Sequence, residues 1–358
     1  MARDSHRWQP RCRPPDDLVA PVPVDASGRS GPTPAEARGP RWRRTTPGLF
    51  VPSWVRDDVP EQRILEQAAR LPVPDSGVTA WAACRMHGAA FFDGLSHGGR
   101  TRMPVPLALG AKAQLRPWPG SRLLRARLTW EEVELVAGVS CTVPRRALFD
   151  AMRIAPTLVE AVVAMDMMAA AEVVSIAQMR EYAGTHPAWT GVPQVRKALD
   201  LADEASRSPA ETRMRLIWVR DAQLPPPLVN QPIWTRDGQL LGIADLLDPL
   251  SGTVGEFDGA DHREAARHTR DVAREQAMRE VGLEYFTVTG NDLSHPHRVA
   301  ARMHNTRARA RWLPDDAREW TTVPPPGWRS APSLDERLVR RDEAAAPYSE
   351  TGTWSATA

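Results

Sequence analysis

Lysine is nearly missing from this 358-residue chain: Lys112 and Lys197 stand beside 44 arginines, and 44 acidic residues leave a formal charge of only +2. That balance excludes a protein that grips nucleic acid by bulk charge. Tyrosine is also rare, with three residues against 13 Trp and 34 Pro. GC-rich coding sequence favours such a skew, so arginine alone is not read as phosphate chemistry. Cys12, Cys84 and Cys141 lie far apart without paired spacing, which excludes a disulfide framework and a cysteine zinc site. No long apolar run occurs. The most apolar stretch, Leu158 to Met179, is interrupted by Glu160, Asp166 and Glu172, and reads as a buried amphipathic helix rather than a membrane span. The first residues are polar and Pro-rich and offer no secretory signal. The expectation is a cytoplasmic protein with no membrane partner. A Gly-rich phosphate loop, a Ser nucleophile elbow and kinase or dinucleotide signatures are all missing, as are internal repeats.

What is present suffices for a core: 42 % of residues are apolar, and the length suggests about two domains. Residues 1–40 carry eight prolines without a helical or strand period and are expected to be a disordered Pro/Arg-rich arm. Residues 41–207 mix short strand-like pieces (Pro47 to Val51, Met103 to Leu109, Leu123 to Leu128) with helical ones (Glu61 to Arg70, Arg145 to Arg153, Leu158 to Tyr182). The tail, 313–358, holds five basic and eight acidic residues and is expected to be disordered.

Residues 208–312 have cleaner punctuation. Ser208-Pro209-Ala210-Glu211 is a capping box with Pro at the first helical position. Strands are expected at Leu228 to Thr235, Leu240 to Leu247 and Thr253 to Asp258. A helix follows from Arg263 to Val281, closed by Gly282, then a strand from Leu283 to Val288 and a helix from Pro296 to Trp312. Asp245 falls in the second strand. Glu256 and Asp258 fall in the third, where residues i and i+2 share a face. Acids converging at one edge repel unless a cation sits between them, and hard oxygen ligands suit Mg2+.

The string Glu211, Asp245, Glu256-Phe-Asp-Gly, His262, then Arg270-Asp271 and Arg274, resembles the PD-(D/E)xK nuclease superfamily over about 209–312. Within it the likeness is to the very-short-patch-repair-endonuclease-like group. The resemblance implies an α/β chain with a restriction-endonuclease-like αβββαβ core behind a smaller mixed α/β N-terminal domain. It also implies Mg2+, or Mn2+, held by Asp245 and Glu256 and used in phosphodiester hydrolysis on DNA. The signature Lys is replaced by Asp258. His262 then takes the general-base role and Arg274 the phosphate.

Each residue also has a plainer reading. Glu211 serves a capping box, Asp271 and Arg274 form a helical pair, His262 sits at a helix start, and Asp245 is a solvated acid near a turn. Arg298, Arg302, Arg307, Arg309 and Arg311 lie in a segment with no acid between 293 and 312. They are either a DNA-tracking surface or a solvated helix face.

In the first half, Arg41-Trp-Arg-Arg-Thr-Thr-Pro-Gly-Leu-Phe-Val-Pro, Thr79-Ala-Trp-Ala-Ala-Cys-Arg-Met-His-Gly and Gly138-Val-Ser-Cys-Thr-Val-Pro-Arg-Arg-Ala-Leu-Phe-Asp resemble the AbiEi-type antitoxin and regulator family of actinobacteria. That likeness implies the competing function: a DNA-binding transcriptional regulator or antitoxin-like protein with an inactive nuclease fold, and a toxin partner if one shares its operon.

Overall fold

In a computed structural model of the chain, residues 9–72, 76–97, 99–110, 113–259 and 265–345 are described. The N-terminal region opens on a small sheet of β1 (Val22–Pro23), β2 (Trp42–Thr46) and β3 (Leu49–Pro52), ordered β1-β3-β2. Then come α1 (Pro60–Ala68), β4 (Ser76–Val78), α2 (Ala80–Met86), β5 (Val105–Leu109), β6 (Ser121–Arg125), β7 (Val133–Val136) and β8 (Val139–Thr142). The last five strands form one sheet, β6-β5-β4-β8-β7, with mixed directions. Four helices, α3 (Pro144–Arg153), α4 (Leu158–Ala170), α5 (Ile176–Gly184) and α6 (Val192–Leu201), complete this region. Its core holds Ile64, Leu107, Phe149, Met165 and Val195. Mixed α/β organisation is thus observed, but the N-terminal region carries the larger core, not the smaller.

Residues 9–40, expected to be disordered, pack as a strap. Cys12 N donates to Gly88 O, and Ala90 N to Pro10 O, both at 2.9 Å. The Gln62 amide satisfies both backbone groups of Val19. Proline sets an extended path here, and backbone pairing fixes it. The stretch Leu158 to Tyr182 is also not one helix. It breaks between α4 and α5 because Glu172 takes a left-handed conformation (φ 53) and Ser175 starts a new capping box with Gln178.

The C-terminal region follows the expected order. It comprises α7 (Pro209–Leu216), continued by a π-helical turn at Ile217–Asp221, then β9 (Leu228–Thr235), β10 (Leu240–Asp248), β11 (Thr253–Asp258), α8 (Ala265–Glu280), β12 (Glu284–Thr289) and α9 (Pro296–Arg309). Gly282 (φ 88) closes α8, with Leu283 N donating to Met278 O and Gly282 N to Arg279 O. β11 and β12 run parallel, which needs a crossover such as α8. The remaining neighbours are antiparallel. One sheet face packs α7 and α9 through Met214, Trp218, Leu246, Phe286 and Met303. The other packs α8 through Met278 against Leu247, Val254 and Tyr285.

The described part of the tail, 313–345, is packed rather than disordered. It adds β13 (Trp320–Thr321) to the edge of β9 and ends on α10 (Leu334–Ala345). Trp320 joins the core under α8, and Leu334 and Leu338 join the N-terminal core. Apolar burial and pairing override the acidic composition that argued for disorder. The two regions meet at Asp166 of α4. This fully buried carboxylate accepts from Asp203 N at 2.9 Å, Thr212 Oγ1 at 2.9 Å and Arg215 at 2.7 Å. Among the described residues no helix is long and apolar enough to cross a membrane.

Candidate functional site

The site is built where β10 and β11 part. Their ladder runs from Asp248↔Thr253 to Leu246↔Gly255 and stops. One residue further, the Asp245 carboxylate replaces a backbone partner and accepts from Phe257 N at 2.8 Å. Asp245 and Glu256 are 8 % and 9 % exposed, so Asp245 is not a solvated turn acid. The Glu256 Oε2 accepts from Arg274 at 3.0 Å, and Arg274 also donates to Ile243 O at 3.3 Å. The Arg274 stem reaches this position because residue 242 is glycine: a Cβ there would lie 2.9 Å from Arg274 Cδ and 2.7 Å from Met278 Cε. Gly255 plays the same part on the opposite face, where a Cβ would meet the Phe286 ring at 2.4 Å.

Asp258 ends β11 opposite Thr289 and is half-buried. Glu211 does two things at once. Its backbone N–H is capped by Ser208 Oγ at 3.2 Å, while its carboxylate accepts from Arg207 N at 2.9 Å and Asn230 Nδ2 at 2.7 Å. His262 lies outside the described residues, as do the side chains of Arg270 and Asp271.

Two residues beside the acids escape a reading of the sequence. Tyr285 sits on β12 in parallel register with β11, opposite Val254. Burial, then the Glu256 charge and a hydrogen bond to it, push its phenol far above the usual range, so it stays protonated as a donor. Only the register of β12 could have revealed it. The other is Asn230, whose positive φ of 46 inside a strand carried no signal in a stretch that otherwise reads as regular β.

No protein-family model, curated protein or solved structure matches this chain. The geometry therefore carries the functional argument alone.

Among the described residues no group of three or more His, Cys, Asp or Glu converges as a metal cluster. Mg2+ is usually held by one or two carboxylates and completed by water and substrate phosphate; Asp245 and Glu256, nearly buried on neighbouring strands, are the hard oxygens that could hold it.

The arginine helix divides in two. Arg302 pairs with Asp292 at 3.1 Å, Arg307 with Asp248 at 2.7 Å and Arg309 with Glu284 at 3.1 Å. All three acids come from outside 293–312. Arg298 and Arg311 are exposed and have no acid partner among the described residues.

Proposed function

We propose that residues 208–312 form a Mg2+-dependent, or Mn2+-dependent, DNA phosphodiesterase of the very-short-patch-repair-endonuclease-like kind. The observation that carries this reading is the pair Asp245 and Glu256, both under a tenth exposed, on adjacent strands at the point where those strands separate. Burying two carboxylates on adjacent strands is costly, and Arg274, 3.0 Å from Glu256, offsets part of that cost. A bound Mg2+ stabilises charge on the phosphoryl group.

The chain's own residues prepare that site. The Phe257 N–H holds one Asp245 oxygen and fixes the carboxylate's direction. Arg274 and Tyr285 do the same for Glu256, and Arg274 brings a guanidinium beside the acids, where a phosphate oxygen can meet it. Asp258 stands where the signature places lysine. His262 is the proposed acceptor of the water proton, since an imidazole titrates near neutrality. Arg298 on α9 and Arg311 just past its end face solvent after the site and serve as backbone contacts for DNA.

A second reading is favoured by one contact. Arg274 already neutralises Glu256, which suits a nuclease fold kept as a DNA-binding regulator or antitoxin-like module, with a toxin as its partner. Plasmid incubated with the protein and Mg2+ separates the two. The nuclease reading expects cleavage that chelator, Asp245→Ala or Glu256→Ala abolishes. Cleavage surviving both substitutions removes the site assignment. Uncut DNA that is retarded in a gel regardless of metal favours the regulator.

A further inference from the structure

The five-stranded N-terminal sheet has two open edges of opposite charge. β7 ends it on one side and β6 on the other, and among the described residues no strand pairs beyond either. β7 and β8 are joined by Ala137 and Gly138, both at positive φ (47 and 79), as a tight two-residue hairpin turn requires. Val136↔Val139 therefore closes the turn with hydrogen bonds, and Glu134 and Val136 direct their backbone groups to β8. Val133 and Leu135 alternate with them and aim theirs outward. Trp130 O takes the Val133 N–H, which leaves the Val133 C=O and both backbone groups of Leu135 open to another strand.

Charge commonly guards such edges, and here the two guards differ in sign. Beside β7, Glu131 and Glu134 are exposed, while Glu132 is committed to Arg146 and Tyr182. His87 lies 3.8 Å from Glu134, but burial pushes its imidazole below the usual range, so it stays neutral and leaves that acid's charge in place. Residues 113–130, which include β6, hold Arg116, Arg122, Arg125 and Arg127 and no acid. All four are exposed, and none pairs with an acid among the described residues. Two copies of either edge repel each other, whereas one of each attract. Apolar surface lies along both: Trp130 and Leu135 are 76 % and 75 % exposed beside the acids, and Leu123 and Leu124 are partly exposed on β6.

We propose that the chain associates head to tail with a second copy of itself, the acidic β7 edge of one pairing with the arginine-bearing β6 edge of the next. Backbone hydrogen bonds from Leu135 extend the sheet across the junction, Trp130 and Leu135 lose water there, and the charges select unlike edges. Such pairing leaves one edge of each kind free, so it continues into a chain or closes into a ring. It uses no residue of the proposed phosphodiesterase site and goes beyond that reading.

Light scattering of the full chain over a concentration series, at low and high salt, tests this. The wild type is expected to exceed the mass of one chain as concentration rises, and less so in high salt, which screens exposed charges. Glu134→Arg and Arg122→Glu should each weaken association about tenfold or more, because each sets like charges across the junction. Mixing the two variants should restore it, since the two reversed edges attract each other and the two unreversed edges still do. Both substitutions are at exposed positions and should leave the thermal transition in place. Should Glu134→Arg fail to fold, Glu131→Arg replaces it in the mixture. A wild type that stays monomeric up to about 1 mM, weakening of less than about tenfold in either variant, or variants that stay apart when mixed overturns the inference.

Discussion

Arg307 donates its Nε to Asp248 Oδ2 at 2.7 Å, across the 59 residues that separate α9 from the end of β10. Asp248 also accepts from Ser251 Oγ and Leu250 N. Burial alone would raise its carboxyl, but these hydrogen bonds outweigh it and hold the group below the usual carboxylate range. Arg307 is therefore a tie between helix and sheet. Arg307→Ala is expected to cost about 1–3 kcal/mol, because it leaves a largely buried acid short of its cation; denaturant titration at neutral pH measures it. Arg298→Ala and Arg311→Ala should leave stability unchanged within about 0.5 kcal/mol. Each should lower the salt slope of DNA binding by about one. Equal stability losses in all three variants would contradict this division.

The two site glycines have different neighbours, and their alanine variants should differ accordingly. A Cβ at Gly242 meets the end of Met278 and the stem of Arg274, both unbranched side chains that can shift. A Cβ at Gly255 meets the Phe286 ring at 2.4 Å, inside a core that also holds Trp218 stacked on that ring. Overpacking costs about 1–3 kcal/mol, with Gly255→Ala expected at the upper end and Gly242→Ala at the lower. Gly242→Ala should nevertheless reduce cleavage more than its stability loss explains, since it displaces the arginine from Glu256. Denaturant midpoints and plasmid cleavage on the same samples check the pair.

Much of the C-terminal fold was legible in the sequence because local signals agreed with the tertiary ones. Ser208-Pro209 started α7, Gly282 ended α8, and Gly252 and Gly259 bracketed β11. Asp245, Glu256 and Glu211 were legible as acids, but not their partners. Arg274 on Glu256 requires the glycine at 242, and Tyr285 requires β12 to lie parallel beside β11. The break between α4 and α5 depends on Glu172, whose backbone or carboxylate is held by Arg11, Arg337 and Arg341 from both ends of the chain. No window of sequence contains those contacts. For the same reason the acidic tail concealed β13 and α10, whose burial depends on partners distant in sequence, Thr235 for Trp320 and Ser175 for Asp335.

Burial raises the Asp166 carboxyl to about 6, although Arg215, Asp203 N and Thr212 all pull it down. The unfolded chain releases this proton near pH 3.9, the folded chain only near 6, so between those values the folded state binds more protons. Stability contributed by this group is therefore greatest below about pH 4 and falls as pH rises to about 6, beyond which it is level. Subtracting the Asp166→Asn stability curve from that of the wild type isolates the effect. The difference should slope downward with pH across this window and flatten above it. A difference that rises with pH would mean that pairing with Arg215 outweighs burial.

The last helix supplies a test of the ordered tail. Leu338 is 2 % exposed and Leu334 4 % exposed, both within the N-terminal core. Asp335 accepts from Ser175 Oγ at 2.5 Å, and Arg337 pairs with Glu172 at 3.2 Å, so α10 closes over the break between α4 and α5. Leu338→Ala should remove a buried side chain and leave a cavity, at about 2–5 kcal/mol. Arg340→Ala, exposed on the same helix, should cost no more than about 0.5 kcal/mol. Thermal unfolding of the two variants distinguishes a docked helix from a solvated tail, in which both substitutions would be neutral.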